Sequence, residues 1–176
     1  LMIVYFSIYT FLGYLMESSY ISLLQRHFVS SGLFKGPFIP LYGIGACCLI
    51  VLFPYLTNPF LMFFIGGISM TLLEYIASLY IEKVFHTQCW NYSHHYLHFQ
   101  GRICLLYFII WCILSYLFLS IIHPCVMSII PINDLTILLS LIYCAFLSKS
   151  FIDCFNHKDN LLLIQDKNKE PYDSLS

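Results

Sequence analysis

Apolar residues along this chain run in long blocks broken by short polar gaps, at a length that matches a bilayer. A helix needs about 20 apolar residues to cross the hydrocarbon of a membrane. Five blocks come near that length: Met2–Leu24, Ile39–Leu56, Phe60–Lys83, Ile103–Ile122 and Leu135–Ile152. The gaps between them alternate in charge. Arg26 and Lys35 follow the first block, Lys83 and Arg102 bracket the gap after the third, and Lys149, Lys158, Lys167 and Lys169 end the chain. The gaps around Thr57-Asn58-Pro59 and over His123–Asp134 carry no Lys or Arg. If every block crosses, all basic residues fall on one face, which the positive-inside rule assigns to the cytoplasm. The pattern predicts an all-α integral membrane bundle of about five transmembrane helices, multi-pass in the cell membrane. Its amino terminus lies outside and its carboxyl terminus is cytoplasmic. Residues 1–155 form the helical domain, and 156–176 a flexible cytoplasmic tail whose Leu161–Ile164 patch can rest on the membrane.

Composition supports this and removes other classes. Apolar residues make up 60% of the 176 and charged residues 10%, against about 25% charged in a soluble domain. Mean hydropathy is +0.80. A net charge of -1 offers no basic surface for nucleic acid. The first block is long and lacks a basic leader, which reads as a helix rather than a cleaved signal peptide. The eight cysteines form no C-x-x-C pair, and Cys47, Cys48, Cys104, Cys112 and Cys144 fall inside predicted helices. They read as small apolar residues and reduced thiols.

Two acidic residues stand inside the blocks. Glu17 lies nine positions before Arg26, and Glu74 nine before Lys83, so each sits roughly 13 Å from the basic boundary. A carboxylate facing lipid there costs about 2.5–3.5 kcal/mol on insertion scales. Both are therefore expected to point into the bundle, at one depth. Glu17 shares its helical stripe with Thr10, Gly13, Tyr14 and Tyr20, and Glu74 with Gly67, Thr71, Ser78 and Glu82. Two readings stay open: the pair binds a cation or carries a proton, or each Glu bonds a neighbouring loop or Arg102 and locks the bundle.

The basic-side connections carry the other candidates. Gly32-Leu33-Phe34-Lys35-Gly36-Pro37 is either a tight turn or a loop lining a site; the P-loop pattern is absent. The longer connection from Val84 to Gly101 gathers Cys89, Trp90, Tyr92 and four histidines, and Trp90, Tyr92 and Tyr96 read as an interfacial aromatic belt. His94 and His98 are four apart, but no C-x-x-C or H-E-x-x-H pattern supports a metal site, and no cofactor signature is present. The fourth block, with Trp111 and little polar content, is expected to face lipid. A helix with Glu17, a basic residue and a loop ending Gly36-Pro37 is echoed by a helix with Glu74, a basic residue and a loop ending Gly101-Arg102. Repeats of this kind occur in transporters, with the site at the repeat interface.

Four stretches carry a family resemblance: GYLMESSY at Gly13–Tyr20, HFVSSGLFKGPFIPLYGIGA at His27–Ala46, LEYIASLYIEKVFH at Leu73–His86, and WNYSHHYLHFQGRICL at Trp90–Leu105. The chain resembles the small bacterial multi-pass proteins of the ABC-transporter permease family (type IV, CmpB-like). That family's pattern reads close to G-W-x-x-E, N-R-G-F-L-x-G-P-x-x-P-I-Y-G, L-E-Y, E-K-x-F-H, W-D-Y-S and N-G-R-I-C. The likeness covers about two-thirds of the chain. It implies weight on Glu17, Gly36, Pro37, Tyr42, Glu74, Glu82, Trp90, Tyr92 and Arg102, and a separate ATP-binding cassette subunit. This chain departs in having Ser30-Ser31 for Asn-Arg, Asn91 for Asp and Gln100 for Asn.

The resulting expectation is a permease or permease-like subunit in the lipid bilayer. Its polar site lies on the cytoplasmic side around Glu17 and Glu74, rimmed by Gly36, Pro37, Tyr42, Trp90, Tyr92 and Arg102. Five short helices make a complete monomeric channel a poor fit, so a homo-oligomer or hetero-complex is expected. Two alternatives are an enzyme acting on a lipid head group, with a Glu as general base and Arg102 holding phosphate, and a non-catalytic membrane scaffold.

Overall fold

The computed structural model describes residues 1–56 and 58–157. Lys158, Lys167, Lys169 and the Leu161–Ile164 patch, with nearly all of the expected tail, lie outside those residues. The described chain is nearly all-α. Its helices are α1 (Met2–Gln25), α2 (Pro40–Leu52, extended by a 3-10 turn over Phe53–Tyr55) and α3 (Pro59–Phe85). Then come α4 (Leu105–Leu117), α5 (His123–Ile129) and α6 (Asp134–Asn156). A π-turn over Phe118–Ile122 joins α4 and α5 into one rod.

Three of these are long and apolar enough to cross a membrane: Pro59–Phe85, Leu105–Ile129 and Asp134–Asn156, of 27, 25 and 23 residues. The other two expected spans come out differently. α2 with its 3-10 turn covers Pro40–Tyr55, roughly 24 Å of helix against about 30 Å of hydrocarbon. α1 has the length, 24 residues, but its Tyr, Ser, Thr and Glu side chains dilute its hydropathy. It buries a polar stripe of Ser7, Thr10 and Ser18 in the bundle.

Two further expectations need correcting. The gap over His123–Asp134 is largely helix, because the π-turn takes the chain past Pro124. A wide turn of this kind accommodates a residue without an N–H that would otherwise break the i to i−4 ladder. His123 is consequently buried, its Nδ1 2.8 Å from the Tyr9 hydroxyl. Nor does α4 simply face lipid. It packs on α3 more extensively than any other two helices meet among the described residues, burying Trp111, Cys112 and Ser115. Gly66 and Gly67 of α3 allow this, since a Cβ on either would collide with Ser115 or Cys112; small residues let helix backbones approach in just this way.

The bundle thus pairs α1 with α2 and α3 with α4, joins the pairs through α2 and α3, and lays α6 along α1. Leu49, Leu56, Met70, Trp111 and Leu119 form the main apolar core. Outward faces are apolar too: Ile68, Leu72 and Ile76 on α3, and Leu135, Leu138, Leu139 and Ile142 on α6, are all exposed. So continuous an apolar exterior is suited to lipid. α3 starts on an Asn58 side chain that caps Leu61 N, followed by Pro59; α6 starts on a capping box between Asn133 and Thr136. These are standard helix starts. The 86–104 connection folds into an unexpected hairpin, pairing β1 (His98–Phe99) antiparallel with β2 (Ile103–Cys104).

Candidate functional site

The two carboxylates are held by one scheme. Glu17, on α1, accepts from Ser31 Oγ at 2.5 Å and from the Tyr42 hydroxyl at 3.0 Å. Ser31 belongs to the connection after α1, and Tyr42 to α2. Glu74, on α3, accepts from the Tyr92 hydroxyl at 2.9 Å and from Trp111 Nε1 at 2.9 Å. Tyr92 belongs to the connection after α3, and Trp111 to α4. Each carboxylate therefore ties its own helix to the connection that follows it and to the next helix. The internal echo in the sequence has this geometric counterpart. Tyr42 and Trp111 also meet one another, ring centroids 6.0 Å apart, so the two sites are joined through their aromatic partners.

The backbone is shaped to allow this. Gly13 lies directly against the Tyr42 ring, where any Cβ would overlap it; this close approach brings the Tyr42 hydroxyl to Glu17, one turn further along α1. Ser31 is fixed by its own amide, which donates to Ser18 Oγ at 3.0 Å. Tyr92 is fixed by stacking on Tyr107, centroids 4.3 Å apart, and by its amide donating to Gly101 O at 2.7 Å.

The environments differ. Glu74 is 3% exposed, whereas Glu17 is only half-buried. Among the described residues the Arg102–Glu82 contact is the ion pair, and neither Glu17 nor Glu74 has a cationic partner. Burial, and then the adjacent Glu74 carboxylate, push the Tyr92 phenol above the usual tyrosine range. The phenol thus stays protonated and able to donate.

Arg102 does not reach Glu74. Its guanidinium donates to Ser78 Oγ at 2.8 Å and pairs with Glu82, both on α3. Its Nε is buried without a hydrogen-bond partner, and its carbonyl accepts from Trp90 Nε1 at 3.0 Å. Trp90, Asn91, Gln100 and Arg102 line a cavity of about 230 Å³ over the hairpin. Gly36 and Pro37 are not among the hydrogen-bond partners of either carboxylate; Pro37 O accepts from the Tyr143 hydroxyl of α6 at 2.7 Å. The structure therefore brings Tyr42 to Glu17, Tyr92 to Glu74, and Trp90 to Arg102, and turns Gly36-Pro37 toward α6. No group of three His, Cys, Asp or Glu side chains able to hold a metal occurs among the described residues.

Three residues were named in the sequence reading without the roles they take here. Trp111 carried a signal: an indole deep in an apolar helix, away from the interface, needs an acceptor for its N–H, and Glu74 offers one. Glu82 stood on the Glu74 stripe two turns away. Ser31 was noticed only as a departure, where the family pattern has Arg, yet its hydroxyl is what Glu17 holds. The Asn91 departure falls elsewhere: Asn91 Oδ1 accepts from Ser93 N at 3.0 Å and packs against Gly101.

No curated protein and no solved structure matches the chain. A family model does, over residues 4–156, which takes in both carboxylate sites, the hairpin and α6. With three apolar helices of membrane-spanning length as well, this is a membrane protein of a transport-related family. The chain belongs to the family described as "Putative ABC-transporter type IV".

Proposed function

We propose that this protein is a multi-pass, permease-like subunit of a membrane transport assembly, in which Glu17 is the exchanging carboxylate and Glu74 the lock. What carries the reading is the difference in their partners. Glu17 is half-buried, has no cation beside it, and is held by two hydroxyls, Ser31 and Tyr42. A hydroxyl can donate to a carboxylate or turn its lone pairs to a proton or a small cation bound there. Glu74 is buried and held in part by an indole, which can only donate; beside the carboxylate a cation there would find one hydroxyl, Tyr92, where Glu17 offers two, and would face the Trp111 N–H. Occupancy at Glu17 would be felt by the 26–39 connection through Ser31 and by α2 through Tyr42. In this reading that connection faces the cytoplasm with Arg26 and Lys35, and a separate ATP-binding cassette subunit drives the assembly. The permease subunit itself works as a homo-oligomer or hetero-complex.

Two measurements test this. Cross-linking in native membranes followed by mild-detergent purification should recover an ATP-binding cassette subunit in stoichiometric amount; recovery of the chain alone would sink the assembly. Infrared difference spectra across a pH step should show a carboxyl band that Glu17→Gln removes and Glu74→Gln leaves. A band that follows Glu74, or no band at all, would reverse the assignment of roles.

A further inference from the structure

We infer that the groove between the 26–39 connection and α6 binds the phosphate of a membrane phospholipid. The groove is built by side chains of α6 fastening the backbone of the connection. The Tyr143 hydroxyl donates to Pro37 O at 2.7 Å, and Ser150 Oγ donates to Lys35 O at 2.8 Å. With the backbone so held, Lys35 and Lys149 line one open groove of about 420 Å³, together with Phe38, Tyr143, Phe146 and Asp153. Both lysines are exposed. Neither is within ion-pair distance of a carboxylate among the described residues, Asp153 included.

The order of these groups along α6 matches an amphiphile. Tyr143, Phe146, Lys149 and Asp153 recur at three- and four-residue spacing, which stacks them on one helix face. The stripe runs from aromatic to charged over roughly 10 Å from Phe146 to Asp153, toward the carboxyl-terminal end of a membrane-length helix. Phe146 is 62% exposed and offers a wall for an acyl chain. The two ammonium groups, on long stems that reach the interface, offer charge-assisted hydrogen bonds to a phosphate; basic pockets of this kind hold lipid head groups. Asp153 gives the site a hydrogen-bond acceptor for a head-group hydroxyl or ammonium, and its negative charge works against a doubly charged free phosphate. The occupant is therefore a phospholipid rather than a soluble anion.

The test uses the full chain, delipidated in mild detergent and titrated with short-chain phosphatidylglycerol by native mass spectrometry. Lys35→Gln combined with Lys149→Gln should weaken binding about 20–30-fold, from two phosphate-facing lysines. Lys83→Gln removes an exposed lysine outside the groove and should leave affinity unchanged. Phe146→Ala should weaken the lipid and leave any affinity for glycerol phosphate as it was. A loss for Lys83→Gln as large, per lysine removed, as that for the double variant would reduce the effect to general surface charge and overturn the site. Glycerol phosphate displacing the lipid completely, with Phe146→Ala without effect, would overturn the lipid in favour of a free phosphate. All four substituted positions are exposed, so an unchanged melting temperature separates lost binding from lost fold.

Discussion

The two halves of the bundle, α1 with its connection and α2, and α3 with its connection and α4, solve one problem with different materials. Each places a carboxylate inside an apolar helix and silences it with a donor from the connection and a donor from the next helix. In the first half the donors are 14 and 25 residues on, and both are hydroxyls. In the second they are 18 and 37 residues on, and one is an indole. Even the helix ends correspond: α1 and α3 both stop at a left-handed residue, Arg26 at φ 56 and His86 at φ 54. The similarity shows that a buried Glu can serve as a fold-defining joint. The difference lies in the surroundings: two hydroxyls and partial exposure at Glu17, a donor-only indole, a hydroxyl and burial at Glu74, and it is on this difference that the proposed roles of exchange and lock rest.

The sharpest way to break this comparison is to remove each carboxylate in turn. Glu74→Ala would leave the Tyr92 hydroxyl and the Trp111 N–H without an acceptor in a dry site. At about 1–3 kcal/mol for each unsatisfied buried donor, the loss is about 2–6 kcal/mol, enough to deplete the folded protein from the membrane. Glu17→Ala strands hydroxyls that lie nearer solvent and can turn to other acceptors, for about 0.5–1.5 kcal/mol. Thermal unfolding of the two variants in one detergent decides between them. Equal losses would mean that both carboxylates are locks.

A smaller version of the same contrast removes the donor instead. Trp111→Phe takes the indole N–H from a buried carboxylate and leaves Glu74 Oε2 unpaired, at about 1–3 kcal/mol, while Tyr42→Phe should cost about 0.5–1.5 kcal/mol. Tyr42→Phe keeps its ring, whereas Trp111→Phe also shrinks a core side chain, and the cavity left behind adds to the cost on that side. If Tyr42→Phe proves the more damaging, the Glu17 site is the rigid one and the assignment of roles is inverted.

How far the sequence reveals these joints depends on what kind of signal each residue leaves. The carboxylates were legible because charge in an apolar helix has few excuses, and their stripes named Gly13, Gly67 and Ser78 as inward positions. The helix count was legible from hydropathy. Whether each helix crosses a bilayer was less so, because block length does not separate a span from α2, where the regular helix stops at Leu52. Partners were harder. Ser31 and Tyr92 reach their carboxylates from irregular connections, where no periodicity says which way a side chain points. Trp111 was misplaced because an apolar helix looks the same from sequence whether it faces lipid or a neighbour; the Gly66-Gly67 pair on α3 was the clue to the neighbour. The 118–122 π-turn left no more than Pro124, which reads as a stop rather than as a continuation.

The finest test of the comparison is a pH series on Tyr92. Burial and the Glu74 carboxylate raise the phenol above its ordinary range, so the folded protein keeps that proton where the unfolded chain has lost it. A group whose pKa is raised on folding contributes stability that is fully present below its unfolded value, about 10 for tyrosine. That stability is lost as pH rises from there through the folded value. In this window the unfolded chain binds fewer protons than the native one, so stability falls as pH rises, by at most about 1.4 kcal/mol per pH unit from this one group. Tyr92→Phe has no proton to lose and should show a shallower alkaline decline than the parent, although it starts less stable at neutral pH. Every other tyrosine and lysine titrates in both proteins, so the difference between the two curves isolates the Glu74 joint. Parallel curves would mean that the phenol is not held by the carboxylate, and the lock in the second half would rest on Trp111 alone.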